Sequence, residues 1–325
     1  MTRAASVQGK PPAPAPCVSV VIVTWNSGDA VLDCLDALRT NPPSLPWEAV
    51  VVDNGSTDGT VDAIRNTAPW ARVIANPENR GLAAANNQGI AAGAAPLVLI
   101  ANPDTAVQPG AVDALATVLA RRPRAAFAIP RLRHPDGGLH VSAGDLPTLR
   151  DALLGRQVQR LRRQRGRGFW WDGWAHDEER RIGRGHEACY LVRRDAITEV
   201  GPQDEAYFLD WEGIDWTARI RDAGWEVWFT PDAEVVHHGG VSIRQVPWRW
   251  IVRSHRGMYR YFATRRSRVL RPLLATVFAT RAVVKAAAMA LGPARYDRGQ
   301  RAAATAALPT VAARAGACDS DQGVR

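Results

Sequence analysis

From Val18 onward, short apolar runs rich in Val and Ile alternate with segments whose apolar residues recur at helical spacing. That alternation predicts strands joined by crossover helices, and so an α/β fold with a mostly parallel sheet flanked by helices. Strands are expected at 18–24, 49–53, 72–75 and 97–101, and helices at 29–38, 82–92 and 111–121. The spacing matches βαβ units. After Pro130 the alternation breaks down. Asp136-Gly137-Gly138 reads as a hairpin turn, and it leads into an Arg-rich stretch at 156–167 that is expected as an exposed excursion. Order returns with a strand at 188–192, a helix around 213–223 and two short strands at 226–230 and 233–236.

These signals divide the chain into a leader at 1–16, a main domain at 17–242, a basic amphipathic helical extension at 243–298 and a flexible tail at 299–325. The main domain ends near Ser242. In the extension, 248–291 has helical character interrupted at Pro272, and no stretch reaches the roughly 20 uncharged apolar residues that a spanning helix needs. Eight arginines, from Arg249 to Arg271, alternate there with Trp250, Ile251, Tyr259, Tyr261, Phe262, Val269 and Leu270. Helical folding can sort them into basic and apolar faces suited to an anionic membrane surface. The alternative is that the apolar face serves a core and the arginines are solvated.

Composition narrows the class. The 325 residues are 46% hydrophobic, enough to bury a core and to exclude a disordered chain. With 41 basic and 32 acidic residues the net charge is +9, which favours an anionic partner without choosing among nucleotide diphosphates, nucleic acid and anionic lipid. Cys17, Cys34, Cys189 and Cys318 show no CxxC pairing and no disulfide or zinc spacing. The leader is Ala/Pro-rich and has no apolar h-region, so the expected location is cytoplasmic.

In an open α/β sheet, ligands bind outside the carboxyl ends of the strands, and here those ends are polar. The first delivers Thr24-Trp25-Asn26-Ser27. The second delivers Asp53-Asn54-Gly55-Ser56-Thr57-Asp58-Gly59-Thr60, where Asp53 can accept from a base N–H. An ordinary loop in which Asp58 or Thr60 caps the next helix would look the same. The fourth strand ends at Asn102-Pro103-Asp104, an amide and a carboxylate placed where diphosphate oxygens would lie. Asp104 suits Mg²⁺ or Mn²⁺, which favour oxygen ligands, although Asn-Pro-Asp is also a common turn. Between Phe208 and Asp215, the acids Asp210, Glu212 and Asp215 crowd together just before a helix. Such acids can supply a general base or merely complement the helix dipole. His237 and His238 end a later strand, and only one of them can face the pocket of Asp104, because strand side chains alternate.

The order of these motifs resembles the family 2 glycosyltransferases, inverting enzymes with a GT-A fold. Four blocks carry the likeness: Val20-Val21-Ile22-Val23-Thr24-Trp25-Asn26; Val52-Asp53-Asn54-Gly55-Ser56-Thr57-Asp58-Gly59-Thr60; the run from Asn79-Arg80-Gly81 through Asn86 and Gly89 to Asn102-Pro103-Asp104; and 188–242. The resemblance implies that Thr24, Asn26 and Asp53 bind the nucleotide, with Asn54, Gly81, Asn86 and Asn102 as further donor contacts. It implies that Asp104 stands for the second acid of the family's DxD motif and that His237 completes a divalent-metal site. The first DxD position is Asn102, as in relatives similar to bacterial rhamnosyl- and other cell-envelope transferases.

Another departure concerns the base. Where many relatives carry Glu-Asp, one more residue and another acid, this chain has Glu212-Gly213-Ile214-Asp215, so the position that usually holds the base has no side chain. Glu212 or Asp215 must then do the work. Glu212 is preferred, with Asp215 supporting the architecture or the acceptor hydroxyl.

The expected activity is inverting transfer of a sugar, rhamnose by similarity, from a nucleotide-diphosphate sugar to a saccharide or polyprenyl-linked acceptor in cell-envelope polysaccharide synthesis. The expected place is the cytoplasm, at the inner face of the plasma membrane. Two rivals stand beside it. One is a nucleotide-sugar-binding protein whose catalysis ended with the missing carboxylate at Gly213. The other is a nucleic-acid-binding protein, suggested by Arg160, Arg162, Arg163, Arg165 and Arg167. No nucleic-acid motif accompanies those arginines, so nucleic acid is not an expected partner.

Overall fold

The computed structural model describes residues 15–153, 168–171, 173–239 and 247–291. The Arg-rich stretch at 156–167, most of the expected leader, the boundary at Ser242 and the tail lie outside them.

The first half is built as the apolar runs dictate. Strands β1 (Val18–Thr24), β2 (Trp47–Asp53), β3 (Arg72–Ala75) and β4 (Leu97–Ala101) run parallel in the order β3-β2-β1-β4. All seven residues of β1 are buried, the condition under which a strand reads as a continuous apolar run. Strand β2 begins at Trp47, two residues before the apolar run, because pairing with β1 carries it back through half-buried Trp47 and Glu48. Helices α1 (Asp29–Thr40), α2 (Thr60–Thr67) and α3 (Leu82–Ala92) make the crossovers.

The second half of the sheet is antiparallel at several joints. Strand β5 (Thr105–Val107) and helix α4 (Ala111–Arg121) precede β6 (Ala125–Arg133), which runs straight through Pro130 where the alternation seemed to end. A tight turn with Gly137 N–H donating to His134 O at 2.9 Å folds β6 back onto β7 (Leu139–His140), so the expected hairpin forms. Short strands β8 (Ala143–Gly144), β9 (Arg180–Ile182) and β10 (Arg184–Gly185) follow. Strand β11 (Cys189–Arg193) then inserts antiparallel between β4 and β6. After α5 (Arg194–Val200) and α6 (Glu212–Asp222), one long strand, β12 (Glu226–His237), replaces the two short ones expected. A register shift between Thr230 and Glu234, at Pro231-Asp232, gives the sequence its look of an interruption.

Side chains alternate across the sheet, so Val20 and Ile22 join one core layer with Leu35, Leu99 and Leu115, while Val21 joins the other with Phe127, Trp216 and Phe229. A third cluster belongs to the extension. Helix α7 (Pro247–Thr264), a 3₁₀ turn (Arg268–Leu270) and α8 (Arg271–Leu291) pack Tyr261, Phe262, Leu274 and Phe278 onto Tyr207, Trp211 and Ile214. The apolar face of α7 therefore serves a core, as the alternative to membrane docking requires. Several of its arginines are engaged as well. Arg260 holds Asp204 at 2.7 Å, Arg265 holds Asp215 at 2.7 Å, and the Arg253 guanidinium lies 3.5 Å from the centre of the Phe208 ring. No helix among the described residues is long and apolar enough to cross a membrane.

Candidate active site

Strand order reverses between β1 and β4, and the crevice outside their carboxyl ends is where such a sheet binds ligands. Thr24 and Asp53 end β1 and β2 as paired neighbours. Both are 1% exposed. Asp53 Oδ2 accepts from the Gly55 and Ser56 N–H groups at 3.2 and 2.9 Å and so shapes its own loop, but its Oδ1 and Thr24 Oγ1 have no partner among the described residues. Buried polar atoms are nearly always hydrogen-bonded, so two adjacent orphans at a sheet edge mark a place for a polar ligand.

The other expected donor contacts divide. Asn26 sits at φ 46° and ties the two loops together, its N–H donating to Ser56 Oγ and its Oδ1 accepting from Thr57 N–H, both at 2.8 Å. The Asn54 amide is committed within the protein: Nδ2 donates to Asn79 Oδ1 and Gly81 O, each at 3.1 Å, and Oδ1 accepts from Arg80 N–H at 3.0 Å. Asn86 is buried and donates to Gln203 Oε1 at 3.1 Å, whose amide in turn reaches the Tyr190 hydroxyl. Gly81 works through its backbone. At φ 92° and with an added Cβ only 2.9 Å from Phe208 O, it lets the α3 start approach the segment before α6. Asn102 donates its N–H to Ala188 O at 2.7 Å and accepts the Thr105 hydroxyl at 2.7 Å, fixing the turn that presents Asp104.

Asp104 and His237 meet. Strand β12 pairs with β5 so that His237 lies opposite Thr105, and His237 Nε2 comes 3.4 Å from Asp104 Oδ1, both side chains buried. Burial pushes the Asp104 carboxyl up, but the His237 hydrogen bond and the charges of His237 and His238 outweigh it and hold the group below its ordinary value. His238 instead uses its backbone, donating to Asp104 O at 3.0 Å. Around His237 gather residues that the sequence did not single out. His140 stacks on it with ring centres 5.0 Å apart, His134 stacks on His140, and His186 meets His237 edge-on at 5.3 Å. Ligand nitrogens of His140, His186 and His237 lie within 4.8 Å of one another. A carboxylate beside such imidazoles is a donor set that a divalent cation fits.

The acids at the head of α6 are placed unequally. Asp215 has one oxygen 2.9 Å from Arg219 Nε and the other 2.7 Å from Arg265 Nη1, which fits an architectural role. Glu212 is 2% exposed, and its Oε2 has no partner among the described residues. Burial, together with the charges of Glu187 and Asp210, pushes its carboxyl well above its ordinary value. Glu187, which sequence reasoning missed, stands beside it half-buried. Burial lifts it to about 7 against the pull of Arg184. Just before α6 the backbone is strained, with Asp210 at φ 69° and Trp211 at φ 109°.

A mixed sheet with a switch-point crevice, two orphaned polar atoms at the β1/β2 edge and a carboxylate–imidazole pair beyond β4 is the arrangement of a GT-A sugar-nucleotide enzyme. Known proteins agree. The model of glycosyl transferase family 2 matches residues 19–180. Over 263 residues the chain is 34% identical to the N-acetylglucosaminyl-diphospho-decaprenol L-rhamnosyltransferase of Mycobacterium tuberculosis, covering 76% of this chain and 84% of that one. It is 23% identical over 230 residues to glycosyltransferase AglE of Haloferax volcanii, covering 68% and 67% of the two chains. The mannosyltransferase PcManGT of Pyrobaculum calidifontis, solved with GDP-Man and Mn²⁺, shares the fold with a TM-score of 0.52 at 20% identity, over 91% of this chain and 82% of that one. The chain belongs to glycosyltransferase family 2.

Proposed function

We propose that this enzyme transfers a sugar, with rhamnose from dTDP-rhamnose as the first candidate, to a saccharide carried on a polyprenyl diphosphate, with inversion at the anomeric carbon. The observation that carries this reading is the pairing of orphaned Thr24 Oγ1 and Asp53 Oδ1 with the Asp104–His237 pair along one sheet edge. Asp53 Oδ1 accepts from the base, Thr24 Oγ1 bonds the nucleoside, and Asp104 and His237 would hold Mg²⁺ or Mn²⁺. When bound, that ion supplies positive charge to the departing diphosphate. The acceptor hydroxyl attacks from the opposite face while a carboxylate beside the head of α6 takes its proton. Likeness to the mycobacterial rhamnosyltransferase supports the lipid-linked acceptor and a role in cell-envelope synthesis.

The test is incubation of the full chain with dTDP-rhamnose, Mn²⁺ or Mg²⁺ and a polyprenyl-diphosphate-linked N-acetylglucosamine, with the product's anomeric configuration read by NMR. An inverted rhamnosyl product is expected. If a panel of nucleotide sugars yields no transfer to any lipid-linked or free saccharide, the reading fails.

A further inference from the structure

Resting on the reading of this site as a glycosyl-transfer centre, we propose that Glu187 is the catalytic base, reaching from the loop before β11 into the space that a side chain at position 213 would fill. Gly213 is the second residue of α6, and a Cβ built there would lie 2.7 Å from Glu187 Cγ and 2.8 Å from Glu187 Oε1. Carbon atoms do not pack that closely, so a side chain at 213 and the present Glu187 rotamer exclude one another. The chain has no acid at 213, yet a carboxylate stands at that spot, delivered from a different element. Its position at the N-terminal end of α6 favours negative charge.

Three further observations separate Glu187 from its neighbours. It is half-buried, whereas Glu212 behind it is 2% exposed and Asp215 has both oxygens in arginine ion pairs. No described residue hydrogen-bonds to its carboxylate, so its oxygens are available to a substrate hydroxyl. It also adjoins the Asp104 end of the crevice. Ala188 O anchors the Asn102 N–H at 2.7 Å, and the ring of His186, the preceding residue, meets His237. The step balances. An acceptor oxygen lone pair forms the bond to the anomeric carbon, the bond from that carbon to the diphosphate oxygen breaks with its electron pair leaving on the diphosphate, and the hydroxyl proton passes to a Glu187 oxygen.

The experiment compares four variants of the full chain with wild type, measuring turnover with dTDP-rhamnose and the lipid-linked acceptor, donor Kd by calorimetry, and thermal melting. Glu187→Gln is expected to lose about 10²-fold or more in kcat, the usual worth of a positioned general base, with donor Kd and melting unchanged. Glu212→Gln is expected to stay within several-fold of wild type. Gly213→Asp alone should be impaired by overpacking against Glu187. The swap Glu187→Gly/Gly213→Asp, which returns a carboxylate to the same space from α6, should recover at least about tenfold over Glu187→Gln. Near-wild-type turnover in Glu187→Gln overturns the assignment, and so does a folded swap variant no better than Glu187→Gln. Donor binding without transfer by the wild-type chain sinks the glycosyl-transfer reading as well. Transfer by wild type with Glu212→Gln crippled and Glu187→Gln active sinks this assignment alone.

Discussion

The polar residues expected to contact the donor are of two kinds, and their hydrogen bonds tell them apart. Asn54 and Asn86 spend their amides holding loops and helices together, whereas Thr24 Oγ1 and Asp53 Oδ1 are buried with no protein partner. Residue type alone cannot make that distinction, because the partners come from segments far away in the chain. Asp53→Ala should therefore weaken donor binding by about tenfold or more, the worth of a charge-assisted hydrogen bond, as read by calorimetry with a nucleoside diphosphate. Asn86→Ala should leave donor affinity nearly unchanged and lower the melting temperature instead. Asp104→Ala should abolish the Mn²⁺ dependence of donor binding while His237 remains in place. A donor Kd that keeps its Mn²⁺ response in that variant would remove Asp104 from the metal pair.

At the scale of elements, legibility follows burial on both faces only where the buried residues are themselves strong strand formers. Strands β1 and β4 are continuous apolar runs and were readable with their boundaries, and the Asp-Gly-Gly turn gave its hairpin. Strand β6 was not, because Ala125-Ala126-Phe127-Ala128-Ile129-Pro130 mixes residues of weak strand preference with a proline that the sheet accommodates. The active-site head of α6 was half readable. Its acids were visible, but Glu187 enters only through the contact of its loop with Gly213, which no local pattern encodes. The same tertiary logic ties α6 to the extension. Asp215→Asn removes the buried acid shared by half-buried Arg219 and Arg265 and leaves both guanidiniums without their counter-ion, at a cost of about 2 kcal/mol in unfolding free energy. Urea denaturation reads it. A stability loss below about 1 kcal/mol would mean that these pairs do not brace α6 against α7.

For the molecule as a whole, the question is which surface meets a membrane when the acceptor is lipid-linked. Tyr261, Phe262, Leu274 and Phe278 are removed from candidacy because they form the interface with the catalytic domain. Apolar side chains are still exposed farther along α8, at Val283 and Val284, and at the turn between α7 and α8 and its flank, where Val269 is 84% exposed and Leu273 61%, beside the exposed arginines Arg266 and Arg268. Apolar side chains at a tip flanked by arginines suit shallow insertion among anionic headgroups, where each basic residue contributes about 1 kcal/mol. Full-length protein should therefore float with anionic vesicles and weakly with neutral ones. Val269→Glu/Leu273→Glu should lose flotation while keeping turnover on a short-chain, water-soluble acceptor analogue, because neither residue touches the crevice or the buried interface. Arg266→Ala/Arg268→Ala should weaken binding to anionic vesicles by about thirtyfold, the equivalent of roughly 2 kcal/mol, and make it less sensitive to salt. Equal flotation of wild type and both double variants would place the membrane contact elsewhere on the chain and leave the assignment of the catalytic site untouched.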